Sequence, residues 1–117
     1  MEYNCLENRC VNEVTQKVLH AAKDILGERL EKVILHGSYA RGDFNEASDV
    51  DIFILADIPQ DEANRCRSSI RRLLPGIDLE YDLIISLHVT GTDVFNRFKH
   101  VTPFYKSIIR EGVEIND

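Results

Sequence analysis

The segment that most restricts how this chain can fold is Val50-Asp-Ile-Phe-Ile-Leu-Ala56, an apolar run broken by one acid and preceded by Asp49. It is too short for a core helix and rich in β-branched and aromatic residues, so it reads as a strand covered on both faces, as central strands of layered α/β domains are. On a strand, residues two apart point to one face, and their Cα atoms lie about 6.6 Å apart. The Asp49 and Asp51 carboxylates can therefore converge. Leaving a charged carboxylate beside Ile52, Phe53 and Ile54 costs several kcal/mol unless a positive group answers it. Magnesium is one such group, since it takes one or two carboxylates together with phosphate oxygens and water. The alternative is that Asp49 serves as a turn residue and Asp51 pairs with an arginine, and the pair alone does not choose between them.

The remaining elements are placed by periodicity. Apolar residues at Val11, Val14, Val18, Ala21 or Ala22, and Ile25 predict an amphipathic helix over Glu7 to Leu26, closed by Gly27. A strand is expected over Glu31 to Leu35, a turn-rich stretch over Gly42 to Ser48, and a second long helix over Asp61 to Leu74, ended by Pro75-Gly76. Leu79 to Leu87 reads as a third strand, Gly91 to Lys99 as a short helix and Thr102 to Arg110 as a last helix. Phe104, Tyr105, Ile108 and Ile109 should face inward there, and Val113 to Ile115 can add an edge strand. This order predicts an α/β (α+β) domain spanning 1–117, a single-layer mixed sheet with helices packed against it.

Composition limits the partners. Among 117 residues, 14 Lys and Arg face 20 Asp and Glu, a net charge of -6, which disfavours sequence-independent binding of nucleic acid. Cys5, Cys10 and Cys66 form neither a disulfide framework nor a zinc spacing, so a reducing cytoplasm is the expected compartment. Met1 to Asn4 lack the charge and apolar run of a signal peptide, and no segment has the roughly 20 apolar residues of a membrane span. The histidines His20, His36, His88 and His100 show no metal-ligand spacing. Cys66 is expected as core filler, and His36, just before Gly37, as a strand-end packing residue, with a place in the lining of a pocket as the alternative.

Gly37-Ser38 follows the first strand directly, and its backbone N–H groups can open a short helix at Tyr39 to Arg41, a place where free donors favour a phosphate. Alone it is an ordinary turn. Joined to an Asp-x-Asp pair on the next strand it gives one part that holds phosphates and one that holds a bridging metal, which argues for nucleotide chemistry. A two-metal site needs a third carboxylate. Asp82 is the leading candidate, because it opens the run Leu83-Ile-Ile-Ser-Leu87 as Asp51 opens its own strand. Glu80 is the runner-up, Asp78 is expected in the loop, and Asp57 lies about 20 Å from Asp51 along an extended strand. A solvent-facing strand end is the competing reading of Asp82.

Leu35-His-Gly-Ser-Tyr-Ala-Arg-Gly42 and Ser48-Asp-Val-Asp-Ile52 resemble the signature of the minimal nucleotidyltransferases, the smallest members of the DNA polymerase beta-like superfamily. The resemblance extends over almost the whole chain, including Ile109-Arg-Glu-Gly-Val113. It implies that Gly37 and Ser38 hold the triphosphate of an NTP, ATP in the first place. It also implies that Asp49 and Asp51 bind two magnesium ions, and that Asp82 completes the metal site and acts as base. None of these five positions is substituted. The implied reaction moves a nucleoside monophosphate to a hydroxyl with release of pyrophosphate, through positioning and electrostatics. Arg41 reaches a phosphate or the acceptor, or is simply a solvated arginine, and Ser48 is more a structural residue than a nucleotide contact.

The resemblance leaves the acceptor open. Similar proteins act as the antitoxin of a two-gene module with a HEPN-type ribonuclease toxin, adenylylating it at a tyrosine; a small hydroxyl acceptor is the other possibility. Larger relatives carry a helical acceptor domain, so the acceptor site here is expected to be shared with another polypeptide or subunit. The alternative of a different class is a non-catalytic binding module that neutralises a partner by stoichiometric contact. Arg65, Arg67, Arg71 and Arg72 line the second long helix and read mainly as a solvated face, with an acidic or RNA-bearing partner as the minority reading. The aromatics Phe95, Phe98, Phe104 and Tyr105 read as core rather than interface.

Overall fold

The computed structural model describes residues 8–45 and 47–117. The expected helix start at Glu7, Cys5 and the Met1 to Asn4 segment lie outside the described residues. The elements run α1 (Asn8–Leu26), β1 (Leu30–His36), α2 (Ser38–Arg41), β2 (Val50–Ala56), α3 (Ala63–Arg72), α4 (Ile77–Tyr81), β3 (Ile85–Gly91), α5 (Thr92–Phe98), α6 (Pro103–Glu111) and β4 (Val113–Glu114). The strands form one mixed sheet in the order β3-β2-β1-β4, with β1 antiparallel to both β2 and β4, and β2 parallel to β3.

The pattern of β2 explains the layering. Its even residues Val50, Ile52, Ile54 and Ala56 enter one core with Val14, Val18 and Ala22 of α1 and Cys66 and Ile70 of α3. Its odd residues Phe53 and Leu55 enter a smaller core with Phe95 of α5 and Ile108 of α6. The strand is thus buried on both faces, as its continuous apolar run predicts, and each fully buried aliphatic or aromatic side chain contributes about 1.5–3 kcal/mol. Period-two alternation then places Asp51 on the face of Phe53, at the end of the strand where the smaller core stops. Among the described residues, no helix is long and apolar enough to cross a membrane.

The expected third strand is the main correction. Residues 79–87 do not form one strand: α4 occupies Ile77–Tyr81 and β3 begins only at Ile85. Gly76, at φ 72°, lets the chain reverse and restart a helix immediately after Pro75. Ile77 and Tyr81, four apart, bury one side of that turn, while Leu79 stays 88% exposed. Asp82 ends it in the left-handed region at φ 54°, a conformation Asp tolerates. In α6, Ile108 is buried as expected, but Ile109 and Phe104 are exposed. Of the aromatics read as core, Phe95 is buried and Phe98 and Phe104 are not. Cys66 is buried, as its helical face predicts.

Candidate functional site

The antiparallel register pairs His36 at the end of β1 with Asp51 at the start of β2, so the turn that follows His36 lies over the Asp51 carboxylate. Gly37 adopts φ 75° and ψ -155°, a region that side-chain-bearing residues avoid. A Cβ there would stand 2.5 Å from Asp51 Oδ2. Glycine is required both by the backbone angle and by the approach. Ala40 and Arg41 then donate to the Gly37 carbonyl, each at 3.1 Å, closing the single turn of α2. Neither the amide nor the hydroxyl of Ser38 has a hydrogen-bond partner among the described residues, so both are available to an incoming acceptor group.

The loop that returns the chain to β2 is built from its own side chains. Ala47 N–H donates to Asn45 Oδ1 at 2.8 Å, and Asn45 N–H donates to Ser48 Oγ at 2.9 Å. Ser48 is therefore occupied in shaping the turn, in line with its structural reading. Tyr39 and Phe44 stack at 4.5 Å and 9°, pinning the α2 side of the loop. Asp49 and Asp51 emerge half-buried at its end. Burial, and then the neighbouring Asp49 charge, hold the Asp51 carboxyl above its usual range; His88 and Arg41 pull the other way. The two carboxylates are close enough to repel, as the Asp-x-Asp spacing predicts.

Asp51 opens onto a cleft of 310 Å³ walled by His36, Gly37, Arg41, His88, Phe104 and Glu111. Arg41 is held there between Asp43, from Nε at 3.1 Å, and Glu111, from Nη1 at 3.4 Å. These acids raise its pKa, so it remains a fixed positive charge beside the carboxylates. His36 is buried with Nε2 unpartnered, and desolvation followed by the His88 charge lowers its pKa to about 4. It is a neutral wall, with ring contacts of 5.8 Å to His88 and 5.5 Å to Phe104.

The structure does not bring Asp82 to this pair. The β3 residue in register with Asp51 is Ser86, four residues further along the chain. Asp82 stays exposed ahead of the strand and lines a different cleft of 430 Å³ with Ser48, Asp78 and Leu83. Glu80, the runner-up, is paired with Lys17 at 3.4 Å, and Asp78 is occupied by Arg71. The third-carboxylate position on the sheet is thus a serine, because the strand starts later than its apolar run suggests. Among the described residues, no group of three or more His, Cys, Asp or Glu side chains is arranged to hold a metal. His88, Phe104 and Glu111, which sequence reasoning did not assign to the site, are delivered by the parallel β2/β3 register and by α6 crossing the sheet. Only the Ile109-Arg-Glu-Gly-Val113 match hinted at Glu111.

Comparison with known proteins identifies the family of the chain. Residues 16–115 match the family model described as Nucleotidyltransferase domain. Two Methanocaldococcus jannaschii proteins, both named "Putative protein adenylyltransferase", are similar. One is 33% identical over 97 residues, covering 83% of this chain and 89% of its own; the other is 38% identical over 106 residues, covering 88% and 99%. A crystal structure of a toxin–antitoxin with AMP-PNP shares the fold at a TM-score of 0.57 and 20% identity, over 87% of this chain and 72% of that one. With a glycine-serine turn seated on an Asp-x-Asp strand and a family match over most of its length, the chain belongs to the nucleotidyltransferase-domain family and is a nucleotidyltransferase.

Proposed function

We propose that this protein transfers AMP from ATP to a hydroxyl of a partner polypeptide, a tyrosine of a HEPN-type toxin, and so acts as the antitoxin of that pair. The observation that carries the reading is the seating of Gly37 against the Asp51 carboxylate, with Asp49 near enough for its charge to act on that carboxyl and Ser38 next along the same turn. The curated relatives are named protein adenylyltransferases, and a toxin–antitoxin with AMP-PNP shares the fold. Both support the nucleotide and the kind of acceptor.

The site fits magnesium. Its donor set is hard oxygen, the Asp51 carboxyl is held above its usual range by burial and by Asp49, and the glycine leaves room above it. Asp49 and Asp51 would hold the metal, which supplies charge neutralisation at the phosphates when bound. The chain's own residues do the rest. The Ser38 amide and hydroxyl orient a phosphate, Arg41 offsets its negative charge, and the neutral His36 and Phe104 exclude water from one wall of the cleft. With Ser86 opposite Asp51, the acceptor proton is taken by Asp51 itself or passes to water.

The test is label transfer from α-labelled ATP in the presence of the partner. Transfer by the wild type, lost in Asp49→Ala and in Asp51→Ala while both variants stay folded, supports the reading. A wild type inert with its partner and every nucleotide overturns it. The second reading, a binding module that silences its partner by contact, is favoured by one observation, the serine at the position expected of a third carboxylate. It wins if the double Asp variant neutralises the partner at equal dose.

A further inference from the structure

β3 is an edge strand, since the sheet order leaves its outer side without a neighbouring strand. Its two ends are closed on that side by side chains: Asp78 Oδ2 accepts from Ile85 N–H at 3.1 Å, and Gln60 Oε1 accepts from Gly91 N–H at 2.8 Å. The pleat alternates, so Leu87 and Val89 between them turn their N–H and C=O groups to the same open side. A cavity of 490 Å³ runs along this stretch, walled by Arg67 and Arg71 of α3 on one face of the sheet and by Phe104 and Tyr105 of α6 on the other. Arg67 has no ion-pair partner among the described residues, and Arg71, bound to Asp78 through Nη2 at 2.7 Å, leaves Nη1 buried without a partner. His88 and Phe104 line both this cavity and the Asp51 cleft, so the two are neighbours that share a wall.

We propose that the open middle of β3 docks an extended, acidic segment of the acceptor polypeptide as an added strand, with acidic residues alternating with the residue that carries the acceptor hydroxyl. The inference rests on the transferase reading above and names how its acceptor is held. An added strand pairs its backbone with Leu87 and Val89, and alternate side chains fall on opposite faces. Those on the α3 face meet Arg67 and Arg71, so acids suit them. Those on the other face lie beside Ser86 and His88, on the same side of the sheet as Asp51. Asp51 is two strand spacings away, about 10 Å. A serine or threonine hydroxyl stops short of that span, whereas a tyrosine ring laid along Phe104 carries its hydroxyl across Ser86. The end caps at Ile85 and Gly91 keep the edge from pairing with longer strands, which confines docking to a short segment.

The test uses the full chain and an acetylated, amidated Val-Glu-Tyr-Glu-Val peptide bearing fluorescein, read by anisotropy at low salt without nucleotide. Saturable binding is expected, weakened about tenfold by the charge reversal Arg67→Glu at an exposed helix position. Backbone N-methylation separates strand pairing from side-chain attraction. Methylating both glutamate amides abolishes binding of an antiparallel strand and spares the tyrosine-methylated peptide; for a parallel strand the two results exchange. No binding, an unchanged affinity in Arg67→Glu, or equal effects of the two methylation patterns overturns the docking edge. If the peptide binds with this pattern but takes no label from α-labelled ATP while the partner does not either, the transferase reading fails and the docking edge stands. If the partner is labelled and the peptide does not bind, the docking edge fails alone.

Discussion

Replacing Gly37 by alanine separates the two demands placed on that position. At φ 75° and ψ -155° an alanine backbone costs about 1–3 kcal/mol, whatever surrounds it. The new Cβ also stands 2.5 Å from Asp51 Oδ2, so the carboxylate must retreat by roughly 1 Å to reach ordinary contact. Forcing that side chain off its rotamer adds about 0.5–1.5 kcal/mol. For a domain of this size each kcal/mol lowers Tm by about 3–6 °C, so Gly37→Ala melts well below the wild type yet remains folded in the cold. In an Asp51→Ala background only the backbone cost survives. Urea unfolding of the four proteins of this cycle therefore shows a coupling of about 0.5–1.5 kcal/mol between positions 37 and 51. Label transfer by Gly37→Ala, measured where it is fully folded, falls on the order of 100-fold, because a displacement near 1 Å at a positioned ligand has that effect. A coupling indistinguishable from zero would refute the claim that the turn is seated on the carboxylate. A Gly37→Ala protein as stable as wild type would refute the backbone assignment as well.

Three further outcomes follow from the same structure. Asp51 holds its proton more tightly in the folded than in the unfolded chain, so the stability it contributes is present at acid pH and lost as pH rises through its folded pKa. Asp51→Asn should thus raise Tm near pH 7, leave it unchanged near pH 3, and abolish the Tm gain expected of the wild type with magnesium and ATP; a lowered Tm near pH 7 contradicts this. His36, with its pKa lowered to about 4 from 6.5, resists a proton the unfolded chain accepts, so stability falls as pH drops from 6.5 to 4. His36→Phe should reduce that slope by up to one proton, about 1.4 kcal/mol per pH unit, and an NMR midpoint of His36 near 6.5 in the folded protein would refute it. Asp78→Ala strands the Ile85 N–H and the Arg71 guanidinium, costing about 1–3 kcal/mol, with faster hydrogen exchange at Ile85 as the local readout. Exchange at Ile85 equal to wild type would mean the carboxylate does not cap β3.

The elements whose side chains must be apolar at regular spacing were legible in the chain. α1, β2 and α3 bury a stripe or two full faces, and burial writes its own period into the sequence. The Gly37-Ser38 turn and the Asp49-Val50-Asp51 spacing were legible too, because their demands are local: a backbone angle only glycine tolerates, and two side chains on one face of a single strand. The stretch after Pro75 was not. Leu79, Leu83 and Ile84 are apolar in sequence, yet Leu79 and Ile84 are exposed, and only packing of Ile77 and Tyr81 turned that stretch into a helix. That shift moved the start of β3 to Ile85, set Ser86 rather than Asp82 opposite Asp51, and brought His88 to the cleft. Register between strands distant in sequence, like the crossing of α6 that delivers Phe104 and Glu111, depends on which faces fit together in three dimensions. The sequence alone determined the Asp49 and Asp51 pair and the Gly37-Ser38 turn, each a matter of neighbouring residues. The tertiary structure decided what stands across from them, because that partner is chosen by packing and not by spacing along the chain.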